Sequence, residues 1–154
     1  MTDPRIRPLE DTDEHNWRNL WSGYNRFYDV DLPDETTRHT WRRLLDPDVP
    51  IFGRVAEFSS QIIGFVHYVL HDGTWTTTPN CYLEDLFVDP AHRRRGVARH
   101  LIDDLVATSL AEGWSRLYWH TEDTNPARAL YDQFTPADRF VRYRLMFPEP
   151  LLDA

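Results

Sequence analysis

Lysine is absent from this chain, and all 17 of its basic residues are arginines. That absence excludes Schiff-base catalysis, a phosphate-loop lysine and a lysine general base. Cysteine is nearly absent too: Cys81 stands alone, so no intrachain disulfide forms and a disulfide-stapled secreted scaffold is excluded. With no histidine beside it in sequence, Cys81 reads as a small buried residue rather than a nucleophile. Long hydrophobic runs are missing. The longest, Ile62 to Leu70, is interrupted by His67 and is too short to cross a bilayer. Met1-Thr2-Asp3-Pro4 lacks the basic-then-apolar order of a targeting leader. A cytoplasmic protein without membrane contacts is the expectation. Positive charge is outweighed by 25 acidic side chains, for a net charge of -8. Such a balance argues against general binding to nucleic-acid phosphates and suits a cationic partner.

Core material is plentiful. With 41% apolar and 14% aromatic residues, six of them Trp, a chain of 154 residues predicts one compact domain over residues 1–154. Ile6 to Leu9 suggests a first strand, and Asp11 to Glu14 supplies capping and first-turn acids for a helix. Trp17, Leu20, Trp21, Tyr24, Phe27 and Tyr28 recur at helical spacing, the mark of a buried stripe. Pro33-Asp34-Glu35-Thr36 opens a second helix that ends before Asp46-Pro47-Asp48. Branched and aromatic residues from Ile51 to Phe58 and from Gln61 to His71 then predict a hairpin about Ser59-Ser60, followed by a third sheet strand from Cys81 to Val88. Val97, Leu101 and Leu105, with Ala98, Ile102 and Val106, give a helix closed by Gly113. Strand Arg116 to His120, a short helix Pro126 to Phe134 and a last strand Phe140 to Met146 complete a mixed α/β layout on an open sheet.

The chemistry lies between Cys81 and Ala98, where a strand runs through Asp89-Pro90 into His92-Arg93-Arg94-Arg95-Gly96 and a helix start. Such a loop aims unpaired amides and the positive end of a helix dipole at one point, which suits a diphosphate. Gly96 and Ala98 keep side-chain bulk away from that point, and the arginines add charge-assisted contacts. No Gly-Lys-Ser/Thr follows, and Gly96 stands without the companion glycines of a dinucleotide fingerprint.

Arg93-x-x-Gly96-x-Ala98 after Tyr82-Leu83-Glu84-Asp85-Leu86-Phe87-Val88, with a second motif near Asn125, resembles the acyl-CoA signature of the GNAT family of N-acetyltransferases. Phe27-Tyr28, Thr40-Trp41-x-Arg43-Leu44-Leu45-Asp46-Pro47 and Tyr118-Trp119-x-Thr121 resemble the small fungal histone and polyamine acetyltransferase branch. The resemblance implies a mostly antiparallel central sheet, splayed at the cofactor site and flanked by helices. It implies acetyl-CoA as cofactor, with the pyrophosphate on the loop Arg93, Arg94, Arg95, Gly96, Val97 and Ala98, and with Arg99 just inside the helix. The pantetheine arm then lies along Leu86, Phe87 and Val88 as an added strand would, in a gap opened by a β-bulge. Asn125 matches the position that contacts the pantetheine, and Tyr131 the tyrosine near the thioester sulfur.

On the same resemblance Glu84 is the general base and Tyr131 the general acid. Asp85 faces the opposite side of the strand unless a bulge intervenes. Tyr28 and Asp31, with Glu84, are the expected acceptor contacts, in the loop between the first two helices. The implied activity is acetyl transfer to a primary amine of a small cationic molecule: a polyamine, an amino acid or a related metabolite. A protein lysine or N-terminal amine is the variation within that class, and a non-catalytic acyl-CoA sensor is the rival outside it. A homodimer is implied by relatives that pair their last strands. His67 and His71 lack a third partner at metal-ligand spacing, so no metal is expected. Tyr131 is followed by Asp132-Gln133-Phe134-Thr135-Pro136 rather than the Gly-Ala turn usual in the family.

Overall fold

A computed structural model describes residues 2–150. It divides into two compact units, with the boundary between His120 and Thr121.

The first unit is built on a five-stranded sheet in the order β1-β2-β3-β4-β5, formed by Arg5–Pro8, Ile51–Phe58, Gln61–His71, Asn80–Val88 and Arg116–Tyr118. The first four strands pair antiparallel with their chain neighbours, and β5 runs parallel to β4. Helices α1 (Glu14–Phe27) and α2 (Asp34–Leu45) cover one face. Trp17, Leu20 and Trp21 bury the helical stripe of α1 against Val55, Phe65 and Phe87 of the sheet, with Trp41 and Leu44 of α2 completing that core. Each fully buried side chain of this size stabilises the fold by about 1.5–3 kcal/mol. Arg7 of β1 locks the entry to α1: its guanidinium donates to both oxygens of buried Asp13, at 2.8 and 2.9 Å, and to Glu57 at 2.8 Å.

Helix α3 (Val97–Glu112) lies on the other face, burying Val97, Leu101, Ile102 and Leu105. Gly64 lets it approach, because a Cβ there would stand 2.9 Å from the Phe87 carbonyl and 3.5 Å from Leu101. Gly113 ends α3 in the left-handed conformation, as its position after the last apolar repeat predicts.

The second unit carries little regular structure. The helix expected over Pro126 to Phe134 is confined to α4 (Arg128–Tyr131), with turns on either side. The strand expected from Phe140 to Met146 is not formed. Its alternating apolar residues stand in solvent, Val141 at 73% and Tyr143 at 91% exposure. β-propensity makes a strand only where a partner edge takes up its backbone groups. β5 is also shorter than the Arg116 to His120 expected, ending at Tyr118.

Candidate active site

The site begins with a defect in strand pairing. His67 of β3 faces Asp85 of β4, but the next residue, Tyr68, faces Leu83. Glu84 is skipped, so it is the extra residue of a β-bulge. The bulge breaks the simple alternation of the strand at Glu84 and Asp85. The Tyr24 hydroxyl of α1 bonds to Asp85, and the charge of Glu84 adds to that of Asp85 there. Glu84 is exposed, yet its carboxyl is held above the usual carboxylate range. Partial burial is the main cause and the charge of Asp85 the next, with His67 and Arg43 acting against them.

Asp85 is already engaged. His67 Nδ1 lies 2.9 Å from its Oδ2, and the Tyr24 hydroxyl also bonds to it. On the far side of the imidazole, Trp17 Nε1 donates to His67 Nε2 at 3.0 Å. Tyr28 caps α1 and packs on Tyr24, ring centroids 5.0 Å apart, so it stands at the edge of this group. Asp31 lines a cavity of about 480 Å³ at the α1–α2 loop, whose walls include Arg18, Arg26, Asp29 and Asp34. Asp34 is consumed there by Arg18 and Arg38, at 2.9 and 2.7 Å, and they hold its carboxyl below the usual range. The wall is thus of mixed sign.

Beyond the bulge, β4 loses its neighbour. β5 pairs with it only through Asn80, Cys81 and Tyr82, so from Leu83 to Val88 no strand among the described residues lies on that side. The side chains of Phe87 and Val88 are buried and that of Leu86 half-buried, which leaves backbone groups as the means of contact. The loop follows directly. Arg94 is left-handed, at φ 59°, and Gly96, at φ 77°, is the N-cap of α3 with no side chain capping the helix. The amides of a first turn have no intrahelical acceptors, so this end can receive an anion. A Cβ on Gly96 would meet nothing nearer than His100 at 3.7 Å, so the glycine answers to its conformation rather than to crowding. Arg93 is tied back onto the strand, its Nε donating to the Val88 carbonyl at 3.1 Å and its guanidinium 5.3 Å from the Phe87 ring centroid. Arg94 and Arg95 are exposed, Ala98 and Arg99 half-buried, and Val97 belongs to the core. A cavity of about 400 Å³ lined in part by Phe27, Phe87, Asp89, Pro90 and Arg93 adjoins the loop.

The sequence profile of the Acetyltransferase (GNAT) family matches residues 15–135. The chain belongs to the GNAT family. It is therefore an acetyl-transferring enzyme whose acetyl donor is acetyl-CoA. A curated relative, the D-amino-acid N-acetyltransferase HPA3 of Saccharomyces cerevisiae, is 33% identical over 129 residues, 82% of this chain and 80% of that one. Among solved structures, a ribosomal-protein-alanine N-acetyltransferase from Brucella melitensis biovar Abortus 2308 superposes with a TM-score of 0.74 at 25% identity, covering 93% of this chain and 98% of its own. The structure of AAC(6')-Iy with the bisubstrate analogue CoA-S-monomethyl-acetylneamine shares the fold, with a TM-score of 0.78 at 24% identity over 95% and 100% of the two chains.

The GNAT chain has features that fit acetyl-CoA: an uncapped helix end behind a left-handed glycine, exposed arginines, and one open side of β4 leading away from the bulge. In the second unit, Asn125 Nδ2 donates to Thr121 Oγ1 and its Oδ1 accepts from the Ala127 amide, both at 2.9 Å. Tyr131 is half-buried at the last position of α4, and its carbonyl accepts from the Phe134 amide at 2.9 Å. Cys81 is buried, and burial pushes its thiol up to about 12, in keeping with a packing role. Among the described residues no cluster of three or more His, Cys, Asp or Glu could hold a metal, and no helix is long and apolar enough to cross a membrane. Sequence reasoning missed Tyr24, Asp85, His67 and Trp17 as a connected group. The available signal was a histidine and an aspartate in otherwise apolar strands, but only the register shows that they face each other.

Proposed function

We propose that this enzyme acetylates the primary amine of a small molecule, with Glu84 as general base and Tyr131 as general acid. The observation that carries this reading is the bulge: it sets a raised carboxyl where β4 loses its neighbour. Acetyl-CoA, when bound, supplies an activated acetyl thioester. An alkylammonium has a pKa of ~10.4 and must lose a proton before it can attack. Glu84 accepts that proton directly or through a water, and its raised pKa brings it closer to the working pH of a base. The Tyr131 hydroxyl gives a proton to the departing thiolate. Backbone groups of Leu86, Phe87 and Val88, the loop Arg93 to Ala98, Arg99 and the Asn125 side chain hold the cofactor, with Tyr28 at the acceptor's side. Because the chain has no lysine, it offers no side-chain amine to compete; the amine of Met1 lies outside the described residues.

The name of the yeast relative, a D-amino-acid N-acetyltransferase, supports an amino acid within the class of small amines. We further read residues 1–154 as one catalytic domain of a cytoplasmic homodimer. Exposed Phe140, Tyr143, Leu145 and Phe147 supply apolar surface for self-association, and sedimentation as a monomer would remove that part. The test of function is an amine panel with detection of free CoA thiol: polyamines, D- and L-amino acids, and peptides with a free N-terminus or lysine. Rapid release with small amines supports the proposal. Release with peptides alone would make it a protein acetyltransferase, and tight acetyl-CoA binding with no release would make it a sensor.

A further inference from the structure

His67 is buried in the core that α1 forms with the sheet. Phe65 stacks on its imidazole with ring centroids 4.4 Å apart, and the rings of Trp21 and Trp17 stand at 5.3 and 5.9 Å. Packing therefore sets the orientation of the imidazole, and both of its nitrogens are engaged. Nε2 lies 3.0 Å from the Trp17 indole nitrogen, and Nδ1 lies 2.9 Å from Asp85 Oδ2. Trp17 is itself fixed, fully buried against Trp21 and Trp41 at centroid distances of 5.7 and 4.9 Å. The Asp85 side chain keeps only 14% of its surface. Placing an imidazole and a carboxylate among these rings costs desolvation, and a hydrophobic pair of similar volume would pack there without it.

The pair is not a proton carrier for the substrate. Nε2 faces an N–H that only donates, and Nδ1 faces a carboxylate, so no ring nitrogen is left for an incoming amine. What the hydrogen-bonded chain reaches is the bulge. His67 and Asp85 are the register pair at which the pairing of β3 and β4 shifts: Tyr68 faces Leu83, and Glu84 lies between. The ladder does not hold the extra residue of a bulge, but Asp85 is its covalent neighbour. We propose that His67 is a positioning residue for acetyl transfer: anchored by Trp17, it holds Asp85, and with it the bulge that sets Glu84. This rests on the reading that Glu84 is the general base. A base must stand within hydrogen-bond reach of the proton it takes, and a small displacement of it is costly in rate.

The experiment is a double-mutant cycle in the full-length enzyme with polyamine and amino-acid acceptors. His67→Phe should lower kcat by about 10- to 100-fold, of the order that a small misplacement costs, and leave KM for acetyl-CoA unchanged. His67→Asn, whose amide can donate to Asp85 from the place of Nδ1, should recover part of the loss. In a Glu84→Gln background, His67→Phe should cost nothing further, because its effect passes through Glu84. Additive losses would overturn the proposal, as would wild-type kcat in His67→Phe or a loss shared by kcat and acetyl-CoA affinity. A Glu84→Gln variant with wild-type rates would sink the general-base reading instead, so the two failures are distinct. If His67→Phe does not fold, or no acceptor is turned over, ¹⁵N NMR of the wild-type imidazole at neutral pH still tests the anchor. The proton should be found on Nδ1, and a proton on Nε2 would break the chain at Trp17 and overturn the proposal.

Discussion

Trp17 Nε1 donates to His67 Nε2 across 3.0 Å in the core between α1 and β3. An indole can only donate, so Nε2 of the imidazole must accept and its proton resides on Nδ1. Nδ1 is 2.9 Å from Asp85 Oδ2 and therefore donates to it. Asp85 is thus held as an acceptor by its partners, while its neighbour Glu84, the extra residue of the bulge, has no hydrogen-bond partner among the described residues.

Glu84→Gln is expected to reduce kcat/KM by about 10²–10⁴-fold, the usual contribution of a positioned base. It should do so without loss of stability. A carboxyl whose folded pKa lies above its unfolded value contributes stability below the unfolded pKa and loses it as pH rises through the folded pKa. Above its folded pKa the ionised Glu84 therefore disfavours the fold, and in that range Gln should leave Tm equal or slightly higher. Wild-type rates in this variant would place the base elsewhere.

Asp85→Asn removes the second cause of the raised Glu84 pKa and leaves burial, the first. His67 and Arg43, which act the other way, stay in place. The acid limb of the pH dependence of kcat/KM should move to lower pH. A limb that does not move would show that Glu84 is not the titrating group.

Gly96→Val introduces a β-branched side chain at φ 77°, a conformation such residues avoid. The loop must rearrange, and calorimetric titration should show acetyl-CoA affinity reduced by at least ~10-fold with α3 intact by circular dichroism. Undiminished affinity would detach this loop from the cofactor.

Tyr131→Phe should slow turnover and leave acetyl-CoA affinity nearly unchanged, since it deletes only the proton donor. An unaltered kcat would assign Tyr131 to packing in the second unit.

Arg7→Met leaves buried Asp13 without its charged partner, and breaking such a pair costs about 3–5 kcal/mol. Chemical denaturation should register that loss at pH 7. The Arg7 hydrogen bond is the main reason the Asp13 carboxyl is held below its usual value. The stabilisation is therefore present above the unfolded carboxylate pKa and disappears as pH falls through the lower folded value. Wild type and variant should converge in strong acid.

How much of this was legible follows from the range of the forces involved. The Trp17, Leu20, Trp21 stripe, the hairpin about Ser59-Ser60 and the Gly113 stop all depend on near neighbours, and sequence alone determined them. The loop motif identified the family for the same reason, because an anion cradle is written in consecutive residues. Other features were decided only by the tertiary structure. The skipping of Glu84 is a property of how β3 and β4 pair, which neither strand's own pattern contains. Phe140 to Met146 has the alternation of a strand and none of its structure, because pairing requires an edge that no local pattern can supply.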